Sequence, residues 1–448
     1  DESGKDPSDE SDTGKAGTGD ESGTGSDADT REQIIVKVNI NEDGPSIAST
    51  TGERKHGSTF IEVTVDDTLF NEKLSKGEEN AVLSILIDNR ENFEFTGITG
   101  QTIKNMELRN ATLEINTGLG SYFIPAKFLN IDEIKGILGE NIALSEILVN
   151  IKISEKEESM TENIKDTFSK NELSIMSSPI EFSIECSYGN KQVKIDMFSG
   201  PVKRAIPIPD SVNPEDVTTT ILLEPDGTIH HTATKVIEEN GKFFAELTSF
   251  TSGTFMLVYN STEFKDVENH WSKEYVNELG ARQVVKGVGN DNFNPENDIT
   301  RAELVVMIVR ALGIKAYGDS EKFSDVEEGF WYSDAINAAR EYGIITGYTD
   351  NTFRPKQKIT REESIAMISR AMRLLGIENK ITEAEVQQYL QLFEDGNSFG
   401  AWSRKDAAYA IKHKIILGSG GKIMPHNNIK RGEAAAIILR MLRTAGLI

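Results

Sequence analysis

The part of the chain after residue 263 repeats one order of short motifs three times, and no other feature constrains the fold as strongly. The first motif pairs Phe-x-Asp with a later tryptophan, at 264–271, 323–331 and 393–402. The second begins with glycine and ends with proline, at 287–295, 347–355 and 418–425. The third reads Ile-Thr-Arg-Ala-Glu at 299–303, with close variants at 359–363 and 429–433. Units of this length bury their apolar faces by packing on their neighbours, which predicts a repeat architecture.

Each unit is predicted to form two helices joined by a loop. Apolar residues recur with helical spacing after the third motif, as they do from Leu304 to Leu312. Thr300 and Thr360 each begin a capping box, with a glutamate three residues later. The third unit has Lys430 at the capping position and Gly432 in the first turn, so we expect this helix to start less rigidly. It also carries about ten extra residues around 379–388.

One arginine of each unit falls in the first turn of the second helix, where the helix dipole disfavours a cation. These residues are Arg301, Arg361 and Arg431. A guanidinium beside free helix amides is a natural receptor for a carboxylate or a phosphate, so this placement predicts an anion-binding site. The alternative is a structural ion pair with the first-motif aspartate of a neighbouring unit, at Asp266, Asp325 or Asp395.

The tryptophans and the second-motif glycines each allow two interpretations. The chain has three tryptophans, and one falls in each unit, at Trp271, Trp331 and Trp402. They either fill the core or, if partly exposed, offer an indole face to a sugar ring. The glycines, Gly287, Gly347 and Gly418, are predicted to be left-handed helix caps, and close approach of a ligand to the backbone would be an additional use.

The chain before residue 264 differs in charge and in pattern. Of the 448 residues, those at 1–263 hold 23 Lys and Arg against 47 Asp and Glu, whereas 264–448 hold 25 of each. This net negative charge excludes a general nucleic-acid binder. Residues 1–31 have the composition of an acidic disordered linker. Residues 32–260 alternate apolar and polar side chains, which predicts one or two β-rich domains with antiparallel sheets in an α+β arrangement. Pro225-Asp-Gly227 and Asn240-Gly241 predict tight hairpins.

The β-rich region shows no catalytic or metal-binding motif. His230 and His231 are adjacent, so on a strand they point to opposite faces and cannot share a metal. Asp66, Asp67 and the segment 88–91 fall where strands should end, and turns collect such residues. The single cysteine, Cys186, is expected to be a small buried residue of a strand. No apolar run is long enough to span a bilayer. We therefore expect no catalytic residue, no metal and no cofactor.

Three ordered motifs in three units resemble the S-layer homology family of clostridial-type surface-anchoring proteins. The resemblance implies an all-α pseudo-threefold trimer of repeats, at 261–320, 321–388 and 389–448. It also implies grooves between repeats that bind secondary cell wall polysaccharide, commonly ending in a pyruvylated sugar. The implied groove residues are Asp266, Trp271, Gly287, Arg301, Asp325, Trp331, Gly347, Arg361, Asp395, Trp402, Gly418 and Arg431.

The resemblance further implies an extracellular location at the cell wall or S-layer, with no membrane insertion. Other S-layer or cellulosome proteins are expected partners of the parent protein. The β-rich region is similar to regions that precede such repeats in clostridial surface proteins, and it is read as a spacer. Two alternatives remain open for this region: a surface hydrolase, or a protein-binding module, with the repeats as its anchor in either case.

Overall fold

The computed structural model describes residues 34–40, 50–54, 60–87, 89–156, 165–170, 172–316, 318, 321–377 and 380–448. The predicted acidic linker at 1–31 and the predicted turn residue Asp88 lie outside these ranges. Within them, a β-rich region extends to Tyr259 and a helical region follows. The chain is thus multidomain, with β structure first and an all-α part second. None of the described helices has the length and apolar character needed to cross a membrane.

The β-rich region forms from the segments in which β-branched and aromatic residues alternate with polar ones. Its strands are β1 Ile34–Ile40, β2 Thr50–Arg54, β3 Phe60–Thr64, β4 Val82–Ile87, β5 Asn92–Thr99, β6 Thr112–Thr117, β7 Gly120–Pro125, β8 Leu148–Glu155, β9 Ser174–Ile175, β10 Ile180–Tyr188, β11 Lys191–Lys194, β12 Met197–Pro207, β13 Thr219–Leu223, β14 Ile229–Glu239, β15 Lys242–Thr251 and β16 Gly253–Tyr259. Its helices are α1 Asp67–Lys76, α2 Gly100–Leu108, α3 Ile131–Leu138 and α4 Lys165–Lys170.

The strands pair in the order β11-β10-β8-β5-β3-β2-β1-β4-β6-β7-β12-β15-β14-β13-β16-β9, and an additional pairing joins β10 to β16. Most pairs are antiparallel, as expected, but β3 with β5 and β4 with β6 are parallel. Parallel neighbours need a crossover connection, and α1 and α2 lie in these connections. The predicted β-rich region is therefore present, and its described strand pairs are antiparallel apart from these two.

The two hairpins near the end of this region form at the predicted turns. Gly227 has φ +83°, and Asn240 and Gly241 have φ +52° and +76°, the positive values that tight hairpins require. The hairpin β13–β14 pairs Thr220 with Thr232 and Leu222 with His230. Strand β14 then continues into β15 through the Asn-Gly turn. These strands carry the surface that meets the helical region.

The described residues of the helical region form three pairs of helices and one extra helix at the boundary between the second and third units. They are α5 Lys273–Ala281, α6 Arg301–Leu312, α7 Ser333–Glu341, α8 Arg361–Leu374, α9 Glu383–Leu390, α10 Arg404–Lys412 and α11 Arg431–Thr444. Helix α9 overlaps the insertion around 379–388 that the repeat spacing indicated. The second helix of each unit packs on the first helix of the next: α6 on α7, α8 on α10, and α11 on α5. This cyclic packing gives the pseudo-threefold arrangement.

The two regions share a packed and hydrogen-bonded junction. Ala233 and Phe250 of the β-rich region belong to the same apolar core as the helical repeats. The ring of Phe250 packs edge-on against Tyr342 at a centroid distance of 5.4 Å. Arg282 donates to the carbonyl of Thr234 at 2.9 Å. The β-rich region therefore lies directly on the first and second repeats.

Candidate functional site

A closed ring of backbone hydrogen bonds joins the three repeats at their third motif. The amide of Ile299 donates to Ile429 at 3.0 Å, that of Ile429 to Ile359 at 3.0 Å, and that of Ile359 to Ile299 at 3.2 Å. Each isoleucine is fully buried. The ring sets the start of the second helix of every repeat against its neighbours, so the three first-turn arginines face the adjacent repeats.

The arginines bridge adjacent repeats through two contacts each. Nε of Arg361 donates to the carbonyl of Ile423 at 2.6 Å, and its Nη1 to Oε1 of Glu433 at 2.5 Å. Arg301 makes the same contacts with Phe353 and Glu363, at 2.9 and 2.8 Å. Arg431 does so with Phe293 and Glu303, both at 2.9 Å. All three are buried. A structural ion pair is therefore present, but its partner is the capping-box glutamate and not the first-motif aspartate.

Each of these glutamates has two roles. Oε2 of Glu303 accepts from the amide and the hydroxyl of Thr300, both at 2.8 Å, which completes the predicted capping box. Its Oε1 accepts from Arg431 of another repeat. Lys430 has no capping side chain, but Oε2 of Glu433 still accepts from its amide at 2.9 Å. Lys430 Nζ instead pairs with Asp298 of the first repeat at 2.8 Å.

The first-motif aspartates hold the second-motif loop of their own repeat. Asp266 accepts from the amides of Phe293 and Asn294 at 2.8 and 2.6 Å. Asp325 and Asp395 make the equivalent pairs of bonds with 353–354 and 423–424, at 2.7 to 2.9 Å. These carboxylates fix the conformation of the second-motif loop. A carbonyl of this loop accepts the Nε hydrogen bond from the first-turn arginine of the preceding repeat.

The second-motif glycines are explained by close packing and not by helix capping. A Cβ at Gly287 would lie 2.8 Å from the ring of Phe264, and one at Gly347 only 2.2 Å from Phe323. Gly418 has the same relation to Phe393, at 2.6 Å. The preceding helices end at Ala281, Glu341 and Lys412, too far away for these glycines to be caps. The prediction of left-handed caps was therefore wrong, although Gly347 and Gly418 do have φ near +70°.

The tryptophans are surface residues, so the core-filler interpretation was wrong. Trp271 is 54% exposed, Trp331 62% and Trp402 56%. Each stands at the start of a first helix, beside the second helix of the preceding repeat in the cycle. We name the three resulting grooves after them.

The Trp271 groove is bounded by repeats one and three and reaches Arg361 of repeat two. It is lined by Trp271, Arg361, Leu417, Gly418, Glu433 and Arg440, and encloses about 340 Å³. Arg361 uses Nε and Nη1 in the ring, and no described residue accepts a hydrogen bond from its Nη2. The groove therefore offers an exposed indole beside a guanidinium with an unused donor.

The Trp331 groove lies between repeats one and two. It is lined by Trp331, Lys286, Arg310 and Asp334 of the repeats and by residues of the hairpin β13–β14, and it encloses about 320 Å³. Behind it, Nη2 of Arg431 donates to the carbonyl of Lys286 at 3.3 Å, so this arginine uses all three nitrogens internally. Burial lowers the pKa of Arg431, and the carboxylate of Glu303 opposes this effect.

By the repeat symmetry, the Trp402 groove corresponds to the space between α8 and α10, and there a tyrosine covers the first-turn arginine Arg301. The ring of Tyr348 lies 4.9 Å from the guanidinium of Arg301, and its hydroxyl donates to Glu363 at 3.1 Å. The guanidinium of Arg354 stacks on the same ring at 3.9 Å. The three grooves thus have the same backbone arrangement but differ in the side chains around the first-turn arginine.

A second set of arginines, which the sequence analysis missed, stands two and a half turns into each second helix: Arg310, Arg370 and Arg440. Arg310 and Arg440 line two of the grooves. Their spacings of 60 and 70 residues equal those of the first-turn arginines, so the repeat pattern alone could have found them. They were missed because an arginine within an apolar helical stripe resembles an ordinary solvent-facing residue.

The acidic and histidine residues of the β-rich region have structural explanations. Asp66 caps α1 by accepting from the amide of Leu69 at 3.0 Å, and Asp67 accepts from the hydroxyl of Thr102 at 2.5 Å. Cys186 is buried, and burial raises its pKa to about 12. His231 is buried and His230 is not, as strand alternation predicted. The described residues contain no cluster of three His, Cys, Asp or Glu side chains that could hold a metal ion.

Comparison with known proteins finds matches to the repeats. The S-layer homology domain model matches residues 263–305, 322–363 and 392–435. An amylopullulanase of Thermoanaerobacterium thermosulfurigenes is 38% identical over 42% of this chain and 10% of its own length. The surface-layer 125 kDa protein of Lysinibacillus sphaericus is 30% identical over 45% of this chain and 17% of its own. A cellulosome-anchoring protein of Acetivibrio thermocellus is 31% identical over 36% of each.

The chain therefore spans only about a tenth to a third of these relatives. The domain matches agree with the three repeats that the cyclic ring joins in the structure. The helical part of this chain consists of three tandem S-layer homology domains.

Proposed function

We propose that this chain anchors a protein noncovalently to the bacterial cell surface by binding secondary cell wall polysaccharide with its three S-layer homology domains. The observation that carries the proposal is the Trp271 groove. There, a half-exposed indole lies beside the unused Nη2 of Arg361 and the guanidinium of Arg440. An indole face suits the C–H face of a sugar ring, and a guanidinium suits a carboxylate.

The finer proposal is that the recognised sugar carries a pyruvyl group. A pyruvyl acetal adds one carboxylate to a sugar, and the donors of Arg361 and Arg440 flank the groove where such a group would lie. The location that follows is extracellular, at the cell wall or S-layer. The names of the surface-layer and cellulosome-anchoring relatives support this location.

We further propose that the chain acts as an anchor and not as a catalyst. The relatives named as glycosidases, such as the amylopullulanase and an exoglucanase of Acetivibrio thermocellus, align over only 10% and 17% of their lengths. Their names describe whole proteins, most of whose length lies outside the aligned part. Other S-layer or cellulosome proteins are proposed partners of the parent protein.

Sedimentation of the full chain with purified cell walls tests the proposal. Native walls and walls from which pyruvate has been removed by mild acid are compared. Wild type should sediment with native walls and lose most binding to the treated walls. Trp271→Ala and Arg361→Lys should each weaken binding, since lysine keeps the charge but loses the planar fork.

Two substitutions outside the repeats serve as matched controls. Leu108→Ala removes an exposed apolar side chain, and Arg90→Lys repeats the arginine change in the β-rich region. Both should bind like wild type. Equal binding to native and treated walls would refute the role of pyruvate. Absence of any wild-type binding would refute anchoring by these domains.

A further inference from the structure

Two cations of the Trp331 groove form no ion pair with a described residue, although Asp334 belongs to the same lining. Arg310 and Lys286 both line the groove, and neither forms an ion pair or a side-chain hydrogen bond with the described part of the chain. Burial lowers the pKa of Arg310, and burial together with Arg310 lowers the pKa of Lys286. Holding two unpaired cations close together is unfavourable without an anion, so the groove is electrostatically prepared for one.

At the equivalent positions of the other two grooves, Lys286 is replaced by an uncharged residue and the second arginine donates a hydrogen bond within the chain. Lys286 is replaced by Thr346 in repeat two and by Leu417 in repeat three. Arg440 donates to the hydroxyl of Tyr275 at 3.2 Å, and Arg370 to the carbonyl of Ile344 at 3.3 Å. The unpaired pair of cations is thus a property of the Trp331 groove, where the first-turn arginine is fully used.

The Trp331 groove also has a wall that does not come from the repeats. Residues of the hairpin β13–β14, among them Ile229 and His230, belong to its lining. In contrast, the Trp271 groove is lined only by residues of the repeats. The hairpin therefore changes one groove of the three.

Specific contacts fix this hairpin in place. Lys315 Nζ pairs with Glu224 at 2.6 Å across the junction. The backbone approaches so closely that a Cβ at Gly313 would lie 2.6 Å from the carbonyl of His231. Gly313 has φ +62°, so a side chain there would be strained as well. The wall is consequently preorganised.

We propose that the Trp331 groove is a composite site in which Lys286 and Arg310 bind the anionic group of a saccharide and the hairpin β13–β14 contacts the next sugar of the chain. The β-rich region is then a specificity element of the anchor. This inference rests on the proposed function, because it takes the ligand to be an anionic cell wall glycan.

The chemistry of the hairpin wall suits a sugar. Burial lowers the pKa of His230, so its imidazole is neutral near pH 7 and can both donate to and accept from hydroxyl groups. The partly buried Ile229 supplies an apolar surface beside it. The carboxylate of Asp334, an exposed residue of the same lining, can accept from a further hydroxyl. The groove volume of about 320 Å³ lies within the range of small-ligand sites.

The test uses the full chain with Trp271→Ala and Trp402→Ala, which removes the indoles of the other two grooves. Two probes are titrated calorimetrically: the methyl glycoside of a pyruvylated hexose, and a wall polysaccharide fragment that ends in this sugar and extends for two repeating units. Lys286→Ala and Arg310→Gln should each weaken binding of both probes about tenfold, since each removes a charge-assisted contact. His230→Ala should weaken only the longer probe, by several-fold.

The control is Glu239→Ala, an exposed residue at the far end of the same strand, which should change neither affinity. Equal affinities of His230→Ala and its parent for the longer probe would overturn the contribution of the hairpin. If the parent with two tryptophans removed binds neither probe but wild type binds both, the composite site is refuted while the proposed function stands. If wild type binds neither probe nor walls, both fail.

Discussion

Replacing Arg361 with alanine should destabilise the helical region, because its guanidinium is a structural bridge. The change removes the charge-assisted bond to Glu433 at 2.5 Å and leaves the carbonyl of Ile423 without the donor that now lies at 2.6 Å. Each loss costs about 1–3 kcal/mol. The glutamate side chain is 29% exposed, and water can partly replace its partner, so we expect a total near 3 kcal/mol.

For a folded unit of this size, about 3 kcal/mol corresponds to a fall in Tm of roughly 6–12 °C. Thermal unfolding followed by circular dichroism at 222 nm measures it, because the repeats supply most of the helix. Lys265→Ala is the control: its ammonium is exposed and pairs with Asp291 at 2.8 Å on the surface of the first repeat, which is worth less than about 1 kcal/mol. If the two variants had the same Tm and only Arg361→Ala lost wall binding, the guanidinium of Arg361 would not be a structural bridge, and the reasoning would be refuted.

Three further predictions concern single residues. Arg431→Ala should reduce wall affinity less than Arg361→Ala, since all three nitrogens of Arg431 already have internal acceptors; equal losses in wall-binding titrations would contradict this. Burial lowers the pKa of His231 to about 3, whereas histidine in the unfolded chain has a pKa near 6.5, so the unfolded chain binds more protons between these two pH values. The free energy of unfolding should therefore fall as the pH drops from about 6.5 toward 3. Urea unfolding of His231→Gln should show a flatter pH dependence than that of wild type. Gly432→Ala should lower stability by about 1 kcal/mol despite the better helix propensity of alanine, because the new Cβ would lie 2.9 Å from the hydroxyl of Ser272; a higher Tm would show that the contact relaxes.

The repeats and the hairpins could be predicted because their signals are local. The capping boxes at Thr300 and Thr360 and the Asn-Gly turn at Asn240 each depend on a few neighbouring residues, and all three form. The sequence predicted that Gly432 makes the start of α11 less rigid, but it did not reveal that this glycine packs closely on Ser272 and Pro295. These neighbours lie more than 130 residues earlier in the chain.

The partners of the first-turn arginines could not be read from the sequence for a similar reason. The capping box already explained Glu303, so nothing indicated that its second oxygen accepts from Arg431, 128 residues away. The helices α1 and α2 were missed because they are short and present few apolar residues; α1 buries only Phe70 and Leu74 among them. The parallel pairing of β3 with β5 follows from a crossover that strand patterns do not reveal.

The ring of backbone hydrogen bonds cannot close until the third repeat has been synthesised. The amide of Ile299 donates to the carbonyl of Ile429, and the amide of Arg431 donates to the carbonyl of Asn297 at 2.9 Å. The first two repeats therefore emerge from the ribosome with polar edges that stay unpaired until the third arrives. Contacts of such long sequence separation slow folding and favour all-or-none assembly. A chain cut before α11 should remain open and vulnerable to proteases, so the three repeats close only after α11 has been translated.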